Sequence, residues 1–161
     1  MKRNLKPLTN RTLVQAVSCL ASIDSDLAKI VADLGPPSLW ERRQGFQTLI
    51  RIILEQQVSL SSARAAFDRL VAVATPLAPE RFLQLTDTEL KSVGFSRQKI
   101  TYSRCLAEAI VRRDLDITAL NSMDDEAVRS ELMRVKGVGR WTSDIYLLMA
   151  LLRPDVWPRG I

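Results

Sequence analysis

The residues best suited to chemistry lie in the run Val135-Lys136-Gly137-Val138-Gly139-Arg140-Trp141-Thr142. Apolar residues at helical spacing precede and follow it. One helix is therefore expected to end, turn through a two-glycine bend and start again. Glycine permits dihedrals and close approaches that a Cβ forbids. The first N–H groups of the second helix lack intrahelical acceptors, and the helix dipole adds positive potential there. Together they form a cradle for an anion. Lys136, Arg140 and the Thr142 hydroxyl flank it. A DNA phosphate is the natural guest, since main-chain amides hold phosphate without reading sequence. From 134 to 161, five basic residues (Arg134, Lys136, Arg140, Arg153, Arg159) stand against two acidic ones (Asp144, Asp155).

Other chemistries are excluded by residue type. The 161-residue chain has no histidine. That removes histidine-based triads, histidine general bases and zinc sites with histidine ligands. Two distant cysteines, Cys19 and Cys105, are read as reduced and buried rather than as a disulfide framework. The formal charge of +5 fits a polyanion partner. No apolar run is long enough to cross a bilayer. Lys2, Arg3 and Lys6 are followed by no apolar segment of the secretory type, so a cytoplasmic or nuclear place is expected.

The elements that must position the bend are helical nearly throughout. Phe46, Leu49, Ile50 and Ile53 repeat at helical spacing, as do Val128, Leu132 and Val135. Ile100, Ala107, Ile110 and Val111 share another face, and Ile145, Leu148, Met149 and Leu152 a further one. Gly35-Pro36-Pro37 ends an early helix, and Thr86-Asp87-Thr88-Glu89 reads as a capping box. Gly94 stops that short helix and Ser96 caps the next. Ser59 caps a helix from Ser61 to Val73, and Ser122 to Asp125 opens another. The expectation is an all-α fold of roughly eight helices. Residues 1–8 read as a loose basic lead-in, and 9–161 as a single helical domain.

Three segments, taken in order, resemble the HhH-GPD DNA glycosylases, with the AlkA-like 3-methyladenine DNA glycosylase II group nearest. The run from Val135 to Thr142 resembles their helix-hairpin-helix. Gly45 to Ser59, ending Leu54-Glu55-Gln56-Gln57-Val58-Ser59, resembles a second signature helix, and Gly94 to Ile100 resembles the linking turn. The resemblance implies base-excision repair on double-stranded DNA with damaged bases and needs no cofactor. Such an enzyme flips the damaged base out of the stack because its glycosidic bond is otherwise out of reach. A carboxylate then steadies an oxocarbenium-like transition state.

The resemblance also assigns roles. Gln56 and Gln57 fall at the turn that fills the gap left by the flipped base. Trp141 lines the base pocket, where an electron-rich ring suits a cationic alkylated base. Tyr146 and Trp40 are further pocket candidates. Bifunctional relatives carry lysine where Trp141 stands, which implies a monofunctional enzyme. The loop Arg153-Pro154-Asp155-Val156-Trp157-Pro158-Arg159-Gly160-Ile161 resembles the family's catalytic loop, but the catalytic aspartate position is occupied by Ile161. Asp155 matches a non-catalytic acidic position. Asp144 is read as a helix N-terminal charge or surface pair. The family continues with helices that close the lobe, so an apolar face is expected to lie open on the hairpin helix. Three readings stand: a fragment, a protein completed by a partner, or a non-catalytic helix-hairpin-helix DNA-binding module. The chain as it stands is expected to be inactive.

Overall fold

Helix α3 (Phe46–Glu55) is the hub of the fold, because the sequence makes it apolar over more than half of its circumference, with Gln47, Arg51 and Glu55 on the remaining face. Leu49, Ile50, Ile52 and Ile53 have no exposed surface. In the computed structural model, which describes residues 6–158, three helices gather on α3. They are α4 (Leu60–Val73), α7 (Arg97–Val111) and α9 (Arg140–Met149). Short helices α5 (Pro79–Gln84) and α6 (Asp87–Ser92) pack on α7, and α8 (Asp125–Met133) packs on α9. Every regular element among the described residues is helical, with a 3₁₀ turn at Ala119–Ser122, so the all-α expectation holds. No helix among the described residues is long and apolar enough to cross a membrane.

The caps follow the sequence. Ser59 accepts from the Ser62 N–H and Ser96 from the Lys99 N–H. Thr86 and Glu89 exchange the two bonds of a capping box. Gly94 turns the chain at φ +106° between α6 and α7. For α8 the cap is the Asp124 carboxylate, which accepts from the Ala127 N–H; Ser122 ends the 3₁₀ turn instead.

Two expectations are corrected. Cys19 is exposed and Cys105 half-buried; both are free thiols. The apolar face of the hairpin helix α9 is covered, with Thr142 through Leu147 all buried. Open apolar surface lies instead on α1 (Asn10–Ile23) and α2 (Ser25–Leu34), which pack on one another and bury no residue fully. Of the basic lead-in, residues 1–5 lie outside the described residues. Leu8 is tied by its N–H to the Leu152 carbonyl at 2.7 Å.

Candidate nucleic-acid interface

The bend between α8 and α9 is built by its two glycines in different ways. Gly137 takes φ +90°, and a Cβ there would lie 2.0 Å from Cγ of Tyr102. The ring of Tyr102 thus occupies the space that glycine leaves, so no other residue fits without displacing it. Gly139 has an ordinary φ of −97°, and a Cβ there would meet nothing within 4 Å. Its role is openness rather than conformation. The Ser143 N–H closes the first turn of α9 onto the Gly139 carbonyl at 3.0 Å. The amides of Arg140, Trp141 and Thr142 therefore precede the first intrahelical bond, and no side chain caps this N-terminus. Lys136, Gly139 and Arg140 are exposed around it.

Not every expected contact faces outward. Val138 is buried, and its N–H donates to the Val135 carbonyl at 3.0 Å. That bond pins the bend to α8, while Val138 still lines the concavity between α3, α7 and α9. Thr142 is also buried, and its hydroxyl accepts from Nε2 of Gln56 at 2.9 Å. Arg153, counted above among the basic residues of this segment, is buried and donates to the carbonyls of Asn121 and Met123. Asp144 is no surface charge: it is 1% exposed and accepts from Nε of Arg129 at 2.6 Å. Burial disfavours the Arg129 charge, but Asp144, Glu126 and Asp125 outweigh that and raise its pKa. The same acids lie near Arg140, whose guanidinium is 3.7 Å from Glu126 and 4.0 Å from Asp144. That holds one exposed cation beside the open amides.

Opposite the bend, α3 ends at Gln56 and the chain reverses at Gln57, which takes φ +57°. Lys99 on α7 closes this end by donating from Nζ to the Leu54 carbonyl at 2.6 Å, and burial lowers its pKa. Arg42 grips the buried Glu55 carboxylate with two bonds, at 2.9 and 3.0 Å. The Arg42 N–H also holds the Met149 carbonyl at the end of α9. A concavity of about 400 Å³ lies between these elements. Gln56, Gln57 and Trp141 line it together with Gly137, Gly139 and Thr142, so the structure brings most of the expected residues to one place.

Tyr146 is not among them. It has no exposed surface, its hydroxyl accepts from the Gly45 N–H, and burial raises its pKa. It anchors α9 to the start of α3. Trp40 is exposed in the segment before α3 and does not line the concavity. Two lining residues had not been singled out for it: Tyr102, and Gln98, whose amide donates to the Tyr102 hydroxyl at 2.7 Å. Their i, i+4 spacing on α7 was a usable signal, because it sets two polar side chains on one face. Ile161, at the position of the catalytic aspartate in the resemblance, lies outside the described residues.

Residues 50–154 match the HhH-GPD superfamily of base excision DNA repair proteins. The chain belongs to that superfamily. Helices α3 to α9 and the bend are thus elements of an HhH-GPD fold. Among similar proteins, DNA-3-methyladenine glycosidase from Bacillus halodurans is 31% identical, with a TM-score of 0.73 over 88% of this chain and 66% of that one. A 3-methyladenine DNA glycosylase of Schizosaccharomyces pombe, solved in complex with abasic-DNA, is 27% identical, with a TM-score of 0.76 over 89% of this chain and 73% of that one. DNA-3-methyladenine glycosylase 1 of the same yeast is 27% identical over 154 residues, which are 91% of this chain and 68% of the relative. The HhH-GPD chain described here therefore spans 66–73% of the length of these relatives.

Proposed function

We propose that the chain is a DNA glycosylase scaffold of base-excision repair, of the monofunctional kind that acts on alkylated purines. The observation that carries this is the convergence on one concavity of the uncapped N-terminus of α9, Trp141 and the Gln56-Gln57 turn. Amides and Lys136 would hold a phosphate on one side, while Gln57 enters the stack and a flipped base meets the Trp141 ring. The relatives named for 3-methyladenine support the substrate class. Tryptophan, not lysine, at position 141 supports hydrolysis without strand cleavage, since no amine stands there to form a Schiff base.

Isoleucine at 161 favours a second reading, that of a non-catalytic DNA-binding module. With no carboxylate at that position, an oxocarbenium-like transition state loses its stabilising charge. Both readings expect binding to methylated duplex DNA, and release of 3-methyladenine would decide for the first. The expected result is salt-dependent binding with no release of 3-methyladenine by this chain. Release would mean that another carboxylate does the chemistry. Absence of salt-dependent binding would remove the nucleic-acid reading altogether.

A further inference from the structure

The two glutamines after α3 have different surroundings, although the resemblance gives them one shared role. Nε2 of Gln56 donates to the Gly137 carbonyl at 3.0 Å and to Oγ1 of Thr142 at 2.9 Å. A carbonyl oxygen only accepts, so nitrogen must face Gly137 and the amide orientation is fixed. The two partners lie at the two ends of the bend: Gly137 is its left-handed residue, and Thr142 sits in the first turn of α9. One side chain therefore fastens both ends of the turn to a helix 81 and 86 residues earlier in the chain. Gln57, by contrast, is exposed.

We infer that Gln56 is a positioning residue for DNA binding and does not itself touch the duplex. It fixes the bend against α3, so that the open amides of α9 keep the spacing of a phosphate. Gln57 is then the one of the pair that reaches the DNA. The anchor of this latch is itself held, since Lys99 binds the Leu54 carbonyl at the end of α3. Tyr102 also packs against the bend, where the missing Cβ of Gly137 leaves room. The inference rests on the DNA-binding reading above.

The test is binding of the full chain to a duplex carrying a tetrahydrofuran abasic analogue, followed by fluorescence anisotropy across a salt series, well below every unfolding midpoint. Gln56→Ala and Thr142→Val should each weaken binding roughly tenfold, the scale of a lost buried hydrogen bond. Each should also lower the slope of log K against log salt by about 1, the sign of a lost phosphate contact. The double variant should bind no worse than either single one, because both remove the same latch. Thr142→Ser, which keeps the acceptor, should bind like the unchanged chain. Unchanged affinity and slope in both single variants would overturn the latch while leaving DNA binding intact. Simply additive losses would overturn it too, by showing that Gln56 acts on DNA independently of Thr142. A parent chain with no affinity for the duplex would overturn the DNA reading and the latch with it.

Discussion

Arg129 on α8 and Asp144 on α9 meet in an ion pair of 2.6 Å whose carboxylate is 1% exposed. The pair staples the two arms of the hairpin together just behind the open amides. Two charges withdrawn from water gain little net free energy as a pair, but removing one leaves the other short of a partner. Arg129 keeps its bond to Glu126 at 2.7 Å, so Asp144→Ala should cost about 1–3 kcal/mol in urea unfolding. A loss of under about 1 kcal/mol would show that water reaches Arg129 in the folded chain.

The two glycines of the bend should behave oppositely. Gly137→Ala combines a left-handed φ with a Cβ placed 2.0 Å from the Tyr102 ring. It should destabilise the fold by roughly 2 kcal/mol or more, through both strain and overpacking. Gly139→Asp enters open space at an ordinary φ, so the chain should fold with stability changed by no more than about 0.5 kcal/mol. Its carboxylate nevertheless occupies the phosphate position, and DNA binding should vanish in a gel shift. A folded Gly139→Asp variant with unchanged affinity would move the interface elsewhere.

Charge on the page and charge at the surface also diverge. Lys136 is exposed beside the bend, whereas the Arg153 guanidinium is buried against two carbonyls and lies 3.8 Å from Asp125. Lys136→Ala should leave the urea midpoint alone and lower the salt slope of DNA binding by about 1. Arg153→Leu should do the reverse: a destabilisation of about 2–3 kcal/mol from stranded acceptors, with the slope unchanged. Equal slopes for Lys136→Ala and the parent chain would remove Lys136 from the interface.

These contrasts mark what the sequence made legible. Helix periodicity found α3, α8 and the caps at Ser59, Thr86 and Ser96, because those signals lie within one or two turns of chain. The glycine bend was legible for the same reason. Which of its groups face outward was not, since that depends on partners far along the chain. Gln56 lies 86 residues from Thr142, and Tyr146 lies 101 from Gly45. Asp144 reads as a helix N-terminal charge or a surface pair, because its buried partner Arg129 sits on the preceding helix, 15 residues away. Tyr146 read as a pocket residue although it falls among the buried positions of α9; its hydroxyl, which suggested a polar role, is satisfied by a backbone amide.

Gln57 offers the most direct view of duplex distortion. Its φ of +57° is a conformation that costs a side-chain-bearing residue about 1–2 kcal/mol. Gln57→Gly removes that cost while adding backbone freedom to the unfolded chain, a penalty of about 0.5–1 kcal/mol, so stability should change little. If the exposed Gln57 side chain fills the gap in the stack, the same variant should still bind the abasic duplex through the α9 amides yet unstack it less. A 2-aminopurine placed opposite the abasic analogue reports this, since its fluorescence rises when stacking is lost. The parent chain should raise the signal on binding, and Gln57→Gly should raise it clearly less at equal saturation. Identical signals at saturation would mean that the wedge is another group, and Tyr102 with Gln98, which share the concavity, would be the next pair to vary.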